Sequence, residues 1–198
     1  MRRLGLALLL LLAVAASAPA GLAADKPAPP EMAGQVRAEL LHAWRSYEQY
    51  AWGHDELRPL SRTPRDWHGT ESLLMTPVDS LDTLILLGFD EEAAKTRAYI
   101  DEHLSFDQDI YVKNFEITIR VLGGLLSAYQ LTGDARLLAL ADDLGTRLLP
   151  VFGSKTGMPY VNVNLKTGAV KDPESNPAEI GTLLLEFPLL FRKRLVFF

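Results

Sequence analysis

Asn114-Phe-Glu-Ile-Thr-Ile-Arg-Val-Leu-Gly-Gly-Leu-Leu-Ser-Ala-Tyr129 is the stretch on which the reading of this chain turns. Phe115, Ile119, Leu122, Leu126 and Tyr129 recur at helical spacing and predict one apolar stripe, on a helix running from Asn114 to Leu131 and closed by Thr132-Gly133. Glu116 and Arg120 lie four apart, so they share a face and can pair. Their surroundings are apolar from Ile117 to Leu126, which predicts a partly buried carboxylate, raised in pKa by burial and lowered by Arg120. Gly123-Gly124 in mid-helix costs about 1 kcal/mol per glycine relative to Ala, so close helix packing or close approach of a ligand must require it.

Similar segments flank this one. Glu31 to Tyr50 is helical in pattern, with Val36, Leu40, Leu41, Ala43, Trp44 and Tyr47 at spacings of three and four. Pro77 opens a helix over Val78 to Leu87 that Gly88 ends. Asp90 is placed to cap Glu91 to Leu104, and Asp134 to cap Ala135 to Leu149, which Pro150 ends. Helices of this length joined by short polar turns imply an all-α antiparallel array. Met158 to Val163 alternates, and Lys166-Thr-Gly168 reads as a turn back to Ala169-Val170, which adds a short β-hairpin between helices. Pro177 to Phe187 then reads as helix. Residues 51–70 are irregular but rich in charged and aromatic residues, the texture of a packed connection.

The chain has 198 residues, 48% hydrophobic and 23% charged, with net charge −5 and no cysteine. That suits a globular domain and excludes disulfides, thiolate metal sites and a phosphate-binding basic stripe. At the N-terminus, Arg2 and Arg3 precede the apolar run Leu4 to Ala16 and small residues at Ser17, Ala18, Ala20, Gly21 and Ala23. This is the layout of a signal peptide over residues 1–23, too short for a membrane span, and it implies export to the periplasm or beyond the cell. Residues 24–30 form a Pro-rich linker. The segment 188–198 has no stop signal and ends on aromatics, the expected mark of a truncated chain.

Candidate chemistry is confined to carboxylates, an arginine and aromatics on helices. His42, His54, His68 and His103 lack ligand spacing, and no nucleophile elbow, P-loop or dinucleotide glycine pattern occurs. Asp79 is read as a partner of the helix dipole and Asp82 as facing something polar in the core. Glu179 and Glu186, seven apart, are placed on one face of one helix, either as a solvated edge or as part of a site. This inventory suits sugar chemistry, where two carboxyl groups do acid and base work and aromatics stack on sugar faces.

The sequence resembles glycoside hydrolase family 47, the class I α-1,2-mannosidases. The segments carrying the likeness are Ala51-Trp-Gly-His-Asp-Glu-Leu-Arg-Pro59 with Ser61-Arg62, Val78-Asp-Ser-Leu-Asp-Thr-Leu84, and Asn114 to Tyr129 with Thr132-Gly-Asp134. Met158-Pro-Tyr160 with Asn164-Leu-Lys-Thr-Gly168, and Ala178-Glu-Ile-Gly-Thr-Leu183 with Leu185-Glu-Phe187, complete it. The resemblance implies a partial (α/α)7 toroid, with residues 31–187 as the N-terminal part of a catalytic domain. It implies hydrolysis of terminal α-1,2-linked mannose from oligomannose glycans with inversion, in a monomer with no nucleic-acid partner and no transmembrane span. Glu116 resembles the family's catalytic acid. Arg120, Glu179, Asp55, Glu56 and Arg58 resemble its substrate-binding residues, the last three as a rim motif. A bound Ca²⁺ is also implied, with its threonine ligand and the other catalytic carboxylates beyond residue 198, so that this chain alone should not release mannose. The alternative is a non-catalytic relative that binds mannose glycans; a helical-repeat scaffold lacks a repeat to support it.

Overall fold

A computed structural model describes residues 29–69 and 71–194. The signal-peptide segment, most of the linker and the last four residues therefore lie outside the described residues. By packing, the chain divides at Leu41. The described part of the first unit is the opening half of helix α1 (Pro30–Ala51); everything below concerns the second unit, Leu41 onward.

The second unit is mostly helical, with two small sheets. Helix α2 (Met75–Leu86) is followed by α3 (Asp90–His103) after Gly88, whose φ of 68° lets the chain reverse in a conformation other residues avoid. The decisive stretch begins as α4 (Asn114–Ile117), widens into a π-helical segment (Thr118–Leu122) and continues as α5 (Gly123–Thr132), closed by Gly133 at φ 72°. Helix α6 (Ala135–Leu148) is capped as expected, Asp134 accepting from the Arg136 amide. A 3₁₀ turn (Leu149–Phe152) follows Leu148, and the last described elements are α7 (Pro177–Thr182) and α8 (Glu186–Arg194).

Several expectations need correction. Asp90 is the first residue of α3 rather than its cap, a place where its charge still favours the helix dipole. Pro77 is the third residue of α2, inside the first turn, where its missing N–H removes no helical bond. The expected single helix from Pro177 to Phe187 is broken at Leu183 to Leu185, so Glu179 and Glu186 stand on separate helices. The irregular stretch contains a hairpin, β1 (Glu56–Arg58) against β2 (Thr63–Arg65), with Glu56 opposite Arg65. The later hairpin, β4 (Asn162–Asn164) and β5 (Val170–Lys171), gains a third strand, β3 (Tyr111–Lys113), pairing Val112 with Val163. Three residues are too few to show alternation in sequence.

The core runs along the seam between α2, α5 and α6. Leu81, Leu84, Ile117, Val121, Leu125, Leu126, Leu137 and Leu144 are fully buried there. The buried line of the central helix is thus centred on Ile117, Val121 and Leu125, whereas Phe115, Ile119 and Tyr129 are half-buried. Leu122 and Leu126 of the expected stripe are buried; a π turn adds a residue to one turn and rotates the faces that follow it, which bears on Tyr129 and not on Phe115.

The two glycines have separate reasons. A Cβ on Gly124 would lie 2.7 Å from the Val78 carbonyl oxygen of α2, so here two backbones touch. A Cβ on Gly123 would lie 3.6 Å from the Glu186 side chain and 3.6 Å from the Thr118 carbonyl oxygen, both ordinary van der Waals contacts. Gly124→Ala is therefore expected to destabilise the fold by about 1–3 kcal/mol through overpacking, while Gly123→Ala is neutral or stabilising by up to about 1 kcal/mol through helix propensity. Urea denaturation of both variants checks this ordering; equal effects would contradict it.

Candidate active site

Glu116 sits on the turn of α4 that enters the π segment, and Arg120 sits within that segment. Arg120 Nε donates to Glu116 Oε2 at 3.0 Å, and its Nη1 reaches Asp79 Oδ2 at 3.4 Å. The side chains of Glu116 and Arg120 are 24% and 38% exposed, so the pair opens to solvent on one side. Among the described residues, Glu116 Oε1 has no hydrogen-bond partner. Burial alone would lower the pKa of Arg120, but the hydrogen bond and charge of Glu116, with those of Asp79, raise it instead. Burial pushes the Asp79 carboxyl up, Arg120 holds it down in part, and Asp82 adds to the rise. The dipole reading of Asp79 is thus corrected: it is the fifth residue of α2, past the first turn, and its partner is a guanidinium. Asp82 meets a polar group as expected, accepting from the Ser127 hydroxyl at 2.7 Å.

The three hairpin residues separate. Asp55 is 0% exposed. Its Oδ1 accepts from the amides of Leu73 and Met75 at 2.8 and 3.2 Å and from the Ser72 hydroxyl at 3.1 Å, and its Oδ2 accepts from the Trp67 amide at 2.9 Å. Its carbonyl takes the Thr76 amide at 3.0 Å. Leu74, the residue before α2, makes no side-chain cap, so Asp55 supplies that cap from a distant part of the chain. Glu56 is half-buried and binds the Trp67 indole N–H at 2.9 Å and Arg65 at 2.8 Å. Burial would raise its pKa, but those two donors win and lower it. Arg58 is exposed on β1.

Trp67 is not among the residues that the sequence points to. Its ring lies under the Arg120 guanidinium, 5.7 Å from carbon to centroid. An indole in an irregular loop gives no periodic signal, and only its partners reveal its place.

Glu179, on α7, pairs with Lys113 at 2.7 Å, and that bond lowers its pKa. It lines a small recess with Asn114, Phe115, Pro159, Tyr160, Val161 and Ser175, beside the start of the helix that carries Glu116. Among the described residues no group of three or more His, Asp or Glu side chains is arranged to hold a metal ion. No described helix is long and apolar enough to cross a membrane.

Two outcomes test this arrangement. Asp55→Ala leaves three buried amide donors without an acceptor and is expected to cost about 3 kcal/mol or more, read by chemical denaturation. Glu186 Oε2 is buried with no hydrogen-bond partner among the described residues, and burial raises its pKa above 4.5. The folded state therefore holds this proton more tightly than the unfolded state, and ionising it costs stability increasingly as pH rises through that range. Glu186→Gln should raise Tm by a few degrees at about pH 7 and leave it unchanged at about pH 4. A gain independent of pH would contradict this.

Comparison with known proteins gives the following. The family model for Glycosyl hydrolase family 47 matches residues 39–192. The chain is 44% identical over 172 residues to the endoplasmic reticulum mannosyl-oligosaccharide 1,2-alpha-mannosidase of Rattus norvegicus, covering 84% of this chain and 26% of that protein. It is 43% identical over 177 residues to mannosyl-oligosaccharide 1,2-alpha-mannosidase MNS1 of Arabidopsis thaliana, covering 86% and 31%. The solved alpha-1,2-mannosidase from Trichoderma reesei superposes with TM-score 0.76 at 30% identity, over 83% of this chain and 37% of that one. The chain thus spans about a quarter to a third of the length of these relatives. The expected periplasmic or secreted destination is corrected by the same comparison, because the rat relative is named for the endoplasmic reticulum. A basic and apolar leader pattern reports export in general and not which compartment receives the product.

Proposed function

The chain belongs to glycosyl hydrolase family 47, and on that premise we propose that the protein hydrolyses terminal α-1,2-linked mannose from oligomannose glycans with inversion, Glu116 acting as the acid. The observation that carries this is the Glu116–Arg120 pair: a carboxyl group fixed through one oxygen at 3.0 Å while the other has no described partner. A carboxylic acid so held can give its proton to the glycosidic oxygen as the bond to C1 breaks, while water on the opposite face of the ring attacks under a second carboxylate. That base belongs, on the family resemblance, to a portion of the relatives that this chain does not span. The superposition on the Trichoderma reesei structure supports reading these helices as part of an (α/α)7 toroid.

Arg120 and Glu179 are proposed to hold the mannose. Arg58 is proposed to meet the glycan from its exposed place on β1, and Glu56 lies beside it. Asp55 is better read as a support, since its carboxylate is already spent on four donors. Calcium is implied by the family, but among the described residues no three His, Asp or Glu side chains stand together to hold it, and Asp55, Asp79 and Asp82 are engaged by amides, Arg120 and Ser127. The name of the rat relative supports the endoplasmic reticulum as the workplace.

The test is an exchange of residues 39–192 into the matching part of the rat enzyme, with folding checked by circular dichroism. The exchanged enzyme should release mannose from α-1,2-mannobiose with the β-anomer appearing first by proton NMR, and Glu116→Gln should lower kcat by about 10²–10⁴-fold. A folded enzyme indifferent to Glu116→Gln would remove the acid assignment. Sugar binding without turnover would favour the non-catalytic alternative.

A further inference from the structure

The hairpin that precedes α2 has a feature its sequence does not announce. Glu56 on β1 accepts the Trp67 indole N–H at 2.9 Å, and its other oxygen takes Arg65 from the opposite strand at 2.8 Å. Trp67 is fixed a second time through its backbone, the amide donating to the buried Asp55 at 2.9 Å. The indole is thus held at both ends. Its ring lies 5.7 Å from the Arg120 guanidinium carbon, within the range of a cation–π contact. Arg120 in turn carries Glu116 at 3.0 Å and Asp79 at 3.4 Å.

This geometry addresses a physical problem. A guanidinium on a long side chain, more than a third exposed, loses considerable rotamer entropy when it is fixed. A surface ion pair at such exposure contributes only about 0–1 kcal/mol, too little to hold it alone. Two carboxylates fix the edges of the fork but leave its plane free to tilt, whereas an aromatic face fixes the plane. The Glu56 anchor keeps that face from swinging away.

We propose that Trp67, anchored by Glu56, is a positioning residue that fixes the plane of the Arg120 guanidinium and so orients Glu116. This rests on the reading of Glu116 as the acid. It also gives Glu56 a role distinct from touching sugar: it acts through an indole on the arginine.

The test uses the 198-residue chain and reads exchange of the Arg120 Nε proton with water by ¹⁵N NMR, the signal being assigned by its loss in Arg120→Lys. In the unsubstituted chain the proton is protected. Trp67→Leu should speed its exchange by about tenfold, with Trp67→Phe and Glu56→Ala in between. Glu56→Ala alters only a hairpin side chain, so it decides the matter even if Trp67→Leu does not fold. Unchanged exchange in Glu56→Ala, or in a folded Trp67→Leu, overturns the proposal. In the exchanged enzyme, Glu56→Ala should lower kcat severalfold while KM moves less. Faster proton exchange with unaltered kcat would overturn the positioning role. Failure of the acid assignment would show separately, as turnover indifferent to Glu116→Gln.

Discussion

The approach of one backbone to another at Gly124 sets the geometry on which the rest depends. Because a Cβ there would lie 2.7 Å from the Val78 carbonyl, α2 and α5 run closer than two side-chain-bearing faces allow. Asp79 follows Val78, and Arg120 lies one turn before Gly124. The seam therefore brings a carboxylate of one helix to the guanidinium of another, across 3.4 Å. Seam and charged cluster are one construction: the buried apolar line of Leu81, Leu84, Val121 and Leu125 supplies the stabilisation, and the polar groups sit at its open edge.

A second constraint fixes the direction from which α2 enters. Asp55 lies twenty residues before Met75 and caps it, drawing the Leu73 and Met75 amides and the Trp67 amide onto one buried carboxylate. Unlike a local cap, it joins the hairpin to the helix. The loop that carries Trp67 is thereby tied to the same helix that carries Asp79. Both the edge of the Arg120 fork and the face beneath it descend from that one buried group.

The helices are legible from apolar residues repeated at helical spacing, and three of them also from a glycine or proline just beyond their ends, Gly88, Gly133 and Pro150. Asp134 and its Arg136 amide were legible for the same local reason. The pairing of Glu116 with Arg120 follows from spacing alone, and the family followed from the order of its motifs. What lay hidden was everything held by partners distant in sequence: Asp55 as a cap, Asp79 as a neighbour of Arg120, Trp67 under the guanidinium. The π turn and strand β3 were hidden by brevity, since five residues and three carry no period. The break at Leu183 to Leu185 was hidden because the apolar run continues through it, with Leu184 and Leu185 turned to solvent.

The glycine seam places Asp79 against Arg120. A double-mutant cycle of Asp79→Asn and Arg120→Gln, read by chemical denaturation at neutral pH, measures that contact most directly. The expected coupling is about 0.5–1 kcal/mol, collapsing toward zero when the cycle is repeated with Gly124→Ala. No coupling, or one that survives Gly124→Ala undiminished, would contradict it.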